Sequence, residues 1–302
     1  MSCMRSGRRH SGAERNFERR NRGFGSVPDS RMQETVEMGF RPKEKGELIM
    51  ATNAVANPKI VSQAEWLAAR KKLLAKEKEL THLRDALAAE RRALPWVRVE
   101  QNYVFDTPVG KKTLAELFDG RSQLAVYHFM FGPDWKEGCP SCSMAADGFD
   151  GVHPHLIQRD VTFTAISRAS LEQIAAFKKR MGWRFPWVSS KANSFNHDFQ
   201  VSFSKEELAS GKVYNYATMN FPAEEAPGFS TFAKDSAGNV FHTYSTFGRG
   251  LDELLGVYYF LDRSAKGRNE DALPHPMAWV RHHDRYEIRP TGADESCCSA
   301  GH

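Results

Sequence analysis

No stretch of this sequence approaches the roughly 20 consecutive apolar residues that a membrane-spanning helix requires. The basic N-terminus is not followed by the apolar core of a secretory signal. Cysteine is scarce: five in 302 residues, with no second C-x-x-C, which excludes a disulfide scaffold. A strong charge of one sign is missing too. Of the net +5, four charges come from residues 1–50, which hold eleven Lys/Arg against seven Asp/Glu. A basic arm with no folded surface of matching sign does not make nucleic acid an expected partner. What remains is a cytoplasmic protein of 41% hydrophobic composition, long enough to bury a core, with no nucleic acid or membrane partner and no internal repeat.

Residues 1–49 are rich in Arg, Ser and Gly and show neither helical nor strand period, so they read as a disordered basic extension. A second reading stays open. The purine-rich codons of Lys43–Glu47 can encode a ribosome-binding site ahead of Met50, which would make the extension an upstream read-through. Residues 50–95 read as an N-terminal helical arm, because Ser62 and Glu65 form a capping box and Pro95 ends the pattern near Ala93. Trp66, Leu73, Leu80, Leu87 and Leu94 recur every seven residues, and Leu67, Leu74 and Leu83 widen the stripe. Lys76 and Glu90 spoil a coiled-coil seam, so this helix is expected to dock on its own domain; a homodimer contact is the alternative.

Residues 96–290 alternate strand and helix signals. Gln123–Phe131 reads as a buried strand, Cys142–Gln158 as a helix with a kink at Pro154, and Asp160–Ser167 as a second strand. Ser170 caps a helix to about Met181. Phe229–Lys234 and Val240–Ser245 form a hairpin, and Leu251–Leu261 a last helix. Strand, helix, strand implies a right-handed crossover and a parallel pair, with the hairpin added later. Residues 291–302 read as a flexible tail.

The chemistry concentrates in Cys139-Pro140-Ser141-Cys142, set after a buried strand and at a helix start. Unpaired N–H groups and the helix dipole stabilise an anion there, so the first sulfur should ionise easily. The thiolate is the attacking species in disulfide exchange. Pro140 suits the first helical turn, where its missing N–H costs nothing. Cys142, one turn in, would be the shielded resolving thiol. Zinc is the competing reading, but the extra ligands would be His153 and His155, more than two turns along a straight helix.

The segments FMFGPDWKEGCPSCSMAADGFDG, RMGWRFPWVSS, FHTYSTFGRGLDELLG and PHPMAWVRHHDRY resemble the bacterial thioredoxin-like family catalogued as domain of unknown function 899, over about Pro58 to Tyr286. Its members are often labelled dithiol-disulfide oxidoreductases. The resemblance implies an α/β thioredoxin-like fold, a central mixed sheet flanked by helices, and a redox pair at Cys139 and Cys142. It implies no substrate. Thioredoxin-like proteins place a cis proline beside the dithiol, and Pro227 occupies the matching place, with Pro222 further from the strand. Peroxiredoxins share the fold, but their P-x-x-x-(T/S)-x-x-C loop meets Gly132 and Lys136 here, with Pro133 displaced by one. Copper chaperones of this fold use C-x-x-x-C and a distant histidine; the spacing here is one residue shorter, and His242 or His128 would have to serve.

Other groups are placed by pattern. Trp135 would shade the dithiol or fill the core, and Ser141 lies between the two thiols. His128 reads as a core histidine, His282 and His283 as surface residues, and Arg180, Arg184 and Lys191 as a solvated face. Asp134 and Glu137 would raise the Cys139 pKa if close, with Lys136 opposing them. Cys297 and Cys298, with His302 after them, can bind soft metals, relay electrons to the first dithiol, or do neither. The reading is thus a thiol-disulfide oxidoreductase with no organic cofactor. Its partners are a protein or small-molecule disulfide and a cellular dithiol reductant. A zinc or copper carrier using Cys139, Cys142 and a histidine is the alternative.

Overall fold

Strand formation starts from Gln123–His128, whose last five residues are all buried, as a strand covered on both faces requires. Ala125 and Tyr127 enter one apolar cluster, Leu124 and Val126 the other. The computed structural model describes residues 58–211, 213–218 and 221–287. The expected extension, the alternative start at Met50, the tail, and with them Cys3, Cys297, Cys298 and His302, lie outside the described residues.

The chain begins with α1 (Gln63–Ala93), β1 (Val97–Arg98), β2 (Val104–Thr107), β3 (Gly110–Thr113) and β4 (Gln123–His128). Next come α2 (Pro140–Ala146), α3 (Phe149–Ile157), β5 (Val161–Ser167), α4 (Leu171–Met181) and β6 (Trp187–Ser189). Two short helices, α5 (Phe195–Asp198) and α6 (Lys205–Ser210), lead to the small pair β7 (Val213–Tyr214) and β8 (Ala217–Thr218). The hairpin β9 (Gly228–Lys234) and β10 (Val240–Phe247) and the helix α7 (Gly256–Leu261) follow.

Eight strands form one sheet in the order β1-β10-β9-β4-β5-β6-β2-β3. At its centre β4 and β5 run parallel, joined by α2 and α3, while β9 lies antiparallel on the other side of β4 and β10 antiparallel to β9. A parallel β-α-β unit extended by an antiparallel hairpin is the thioredoxin-like arrangement, and this α/β protein has that fold. One face of the sheet carries an aromatic cluster in which Phe129 and Trp187 lie 4.4 Å apart, joined by Phe177, Trp183 and Phe185. The apolar residues Met181, Trp183, Phe185, Trp187 and Val188 of the RMGWRFPWVSS segment are therefore core. Leu124, Val126, Ile166, Phe195 and Phe232 fill the other face.

Three expectations need correction. The helix expected over Cys142–Gln158 is two: α2 ends at Ala146, and α3 begins after Gly148. The break falls at Asp147, whose carboxylate accepts from Trp183 Nε1 at 2.8 Å, and Pro154 sits inside α3. The helix expected over Leu251–Leu261 is a 3-10 stretch, Gly248–Leu254, followed by α7. Most consequentially, α1 does not dock along its length. Its capping box is present, yet none of its residues is buried. Charges interrupt its apolar stripe, as where Arg70 pairs with Glu77 at 2.7 Å. Near its C-terminus, Arg91 reaches the Tyr244 ring and Glu253.

Candidate dithiol site

Cys139 is the N-cap of α2 and is half-buried; Cys142, one turn in, is 2% exposed. The peptide that joins Gly138 to Cys139 is held from both sides. Cys139 N–H donates to the Met130 carbonyl (3.0 Å), and the Gly138 carbonyl accepts from His282 Nε2 (2.8 Å). Pro140 begins the helix, and the Cys139 carbonyl accepts from Ser143 N (3.0 Å) and Ser143 Oγ (2.9 Å).

The two thiols differ electrostatically. The Cys142 thiol donates to the Cys139 sulfur, and the backbone N–H groups of Cys142 and Ser141 and the Ser141 hydroxyl add to it. These donors outweigh burial and bring the Cys139 pKa down from 9.0 to about 7. Cys142 moves the other way: burial, then the neighbouring Cys139, pushes its pKa well up. The Tyr127 hydroxyl, on β4, bonds the Cys142 sulfur and opposes that rise.

Charges around the loop are paired. Glu137 accepts from Arg285 through both carboxylate oxygens at 2.7 Å and from Arg180 at 2.8 Å. These guanidiniums lower the Glu137 pKa. Glu137 is therefore neutralised in place by two guanidiniums. Trp135 is half-buried against the aromatic cluster, its ring covering Gly132 and its carbonyl accepting from Gln173 Nε2 at 2.9 Å.

Residues 55–286 match the model of a bacterial family described as proteins of unknown function. The chain belongs to this family. No curated protein matches it. Among solved structures it is similar to a Xanthomonas campestris peroxiredoxin Q, at 15% identity and TM-score 0.36, over 52% of this chain and 90% of that one. A Xylella fastidiosa PrxQ is similar at 16% and 0.35, over 55% and 94%, and a Mycobacterium tuberculosis peroxidoxin at 14% and 0.35, over 56% and 97%.

Against the sequence expectations, the structure sets Cys139, Pro140, Ser141 and Cys142 at the start of α2, packs Trp135 on the same cluster as Cys139, and corrects Pro227. No peptide bond among the described residues is cis. The Pro227 carbonyl instead accepts from the Tyr214 hydroxyl at 2.8 Å. His282 is not a surface residue but 2% exposed, and Arg180, on an exposed face as expected, donates to it. His128 is a fully buried core histidine, its Nε2 2.7 Å from Ser230 Oγ. Among the described residues no three His, Cys, Asp or Glu side chains are grouped to hold a metal ion. No helix among them is long and apolar enough to cross a membrane. Tyr127 and His282 were not visible as site residues. Tyr127 read as one more apolar strand position, and His282 touches a loop 144 positions earlier in the chain.

Proposed function

We propose that this protein is a thiol-disulfide oxidoreductase in which Cys139 is the nucleophile and Cys142 the resolving thiol. The observation that carries this reading is the asymmetry of the pair: a partly buried cysteine with a pKa near 7 at a helix start, backed by a fully buried thiol held protonated. The Cys139 thiolate attacks one sulfur of a substrate disulfide, and the other substrate sulfur leaves as a thiolate that takes up a proton. Cys142 then loses its proton and attacks the Cys139 sulfur. This closes the Cys139–Cys142 bond, and the second substrate sulfur is released. The substrate is oxidised protein or a small-molecule disulfide, and a cellular dithiol returns the pair to the reduced state in a reducing cytoplasm. Trp135, Pro140 and Ser141 support the site, Pro140 by starting the helix and Ser141 by stabilising the nucleophile's thiolate. No organic cofactor enters these steps.

The test uses a model disulfide. Cys139→Ser should abolish exchange, Cys142→Ser should accumulate a mixed disulfide, and the wild-type rate should climb as pH rises through about 7, where Cys139 ionises. A Cys142→Ser protein as inert as Cys139→Ser would show the roles to be misassigned. Stoichiometric zinc or copper in protein purified without added metal would favour the carrier instead.

A further inference from the structure

The segment PHPMAWVRHHDRY has no part in the exchange steps, yet its last residues grip both ends of the dithiol helix. At the start of α2, His282 donates to the Gly138 carbonyl and Arg285 holds Glu137. At its end, His283 Nδ1 is 2.7 Å from the Asp147 carboxylate, the C-cap of α2. Asp284 adds a bond to Arg180 at 3.1 Å.

The hydrogen bonds fix which nitrogen of His282 carries the proton. Arg180 Nη2 lies 2.6 Å from Nδ1 and can only donate, so Nδ1 is an acceptor and Nε2 carries the hydrogen that reaches Gly138. Arg180 in turn is held by Glu137 and Asp284, and its guanidinium lies over the Phe177 ring. The donor that grips the Gly138 carbonyl is thus itself oriented by an ion-pair network at the surface, and its buried ring packs edge-on against Phe177 at 5.2 Å.

We propose that His282 and Arg285 are positioning residues for Cys139, His282 acting through the Gly138 carbonyl and Arg285 through Glu137. This rests on the dithiol reading above and adds what sets the reactivity of the pair. The donors that stabilise the Cys139 thiolate belong to Ser141 and Cys142, and a hydrogen bond is steeply sensitive to distance and angle. The Gly138–Cys139 peptide is the hinge about which the Cys139 sulfur would swing away from them. His282 blocks that rotation on the carbonyl side, as Met130 does on the amide side. Glu137 lies two residues before the nucleophile, and the paired Arg180 and Arg285 both tether it and cancel its charge. Of the other charged or titratable groups here, Asp284 is bound to Arg180, Tyr127 lies behind Cys142, and Asp134 and Lys136 are exposed residues of the loop before Cys139.

The experiment follows alkylation of Cys139 by iodoacetamide against pH in the full chain, read by mass on the peptide that carries Cys139. It requires no disulfide-exchange activity, so its failure is distinct from failure of the proposed function. His282→Leu fills the space without the donor, and His282→Gln replaces Nε2 with an amide nitrogen that can still donate. Arg285→Ala removes an exposed guanidinium and leaves the core untouched. His282→Leu and Arg285→Ala should slow alkylation at pH 6 about threefold or more by moving the Cys139 midpoint upward, while His282→Gln keeps most of the wild-type rate. Glu137→Gln added to Arg285→Ala should recover part of the loss, because the uncancelled charge is then gone. Should His282→Leu not fold, Arg285→Ala and the double variant carry the test. Profiles identical to wild type in the folded variants would overturn the proposal, as would equal slowing by His282→Leu and His282→Gln.

Discussion

A thiol that must wait protonated and then attack needs a partner ready to stabilise it as it ionises, and Tyr127 is placed for this. Its hydroxyl meets the Cys142 sulfur from β4, and burial, then that sulfur, raises the Tyr127 pKa well above its ordinary value, so the phenol stays a donor at any working pH. The Cys139 sulfur draws on a different set of donors. Tyr127→Phe should therefore leave the first step nearly unchanged and slow the second. With a model disulfide, the mixed disulfide on Cys139 should persist roughly five- to tenfold longer, about 1 kcal/mol for one lost hydrogen bond. Quenched-flow mass spectrometry reads this directly, and equal slowing of both steps would remove Tyr127 from the second. The placement of the two cysteines, one capping a helix and the other a turn inside it, was legible from spacing alone. The partner of Cys142 was not legible: a tyrosine in a strand buried on both faces carries no sign of which sulfur it will meet.

At the scale of elements, local signals were read well and long-range ones were not. Ser170 and Gln173 form a capping box at the start of α4, with Gly182 left-handed at its end (φ 68°), and the helix runs to Met181 as its sequence requires. The hairpin β9–β10 turns at Asp235–Asn239, where Asp235 accepts from the N–H groups of Ala237 and Asn239. By contrast β1, β2, β3 and β6 are only two to four residues long, so their pattern is too short to show a period. The loop into α2 shows the same limit. Gly138 reads as a turn residue, but it is needed for close approach: a Cβ there would lie 2.6 Å from the Phe129 ring and 2.7 Å from the Phe177 ring. Both rings are core members with little room to move. Gly138→Ala should cost about 1–3 kcal/mol in urea unfolding through overpacking, and should slow Cys139 alkylation as the loop is displaced. Wild-type stability would mean that the rings shift freely.

Across the whole molecule, two buried titratable groups push the pH dependence of stability in opposite directions. Burial, then His242, brings the His128 pKa down to about 3. The folded state thus holds His128 neutral while the unfolded chain protonates it, so this contribution is present above about 6.5 and is lost as pH falls toward 3. Glu225 behaves oppositely. It is 1% exposed, and burial raises its pKa from 4.5 to about 7 against the opposing bonds from Ser202 and Arg168. Between those values the folded state binds the proton more tightly than the unfolded one, so Glu225 stabilises the fold at low pH and loses that contribution as pH rises through 7. From pH 4.5 to 6.5 the two slopes partly cancel, which predicts a flat stability profile there. Glu225→Gln separates them, because glutamine copies the protonated acid at every pH. Any pH-independent cost of the substitution drops out when the variant is compared with wild type at two pH values. The stability of Glu225→Gln relative to wild type should rise by on the order of 3 kcal/mol between pH 4.5 and pH 8, most of it between 5 and 7. Urea titrations at those pH values measure it. A constant difference would mean that Arg168 holds Glu225 ionised throughout, and the decline of wild-type stability above neutrality would then need another source.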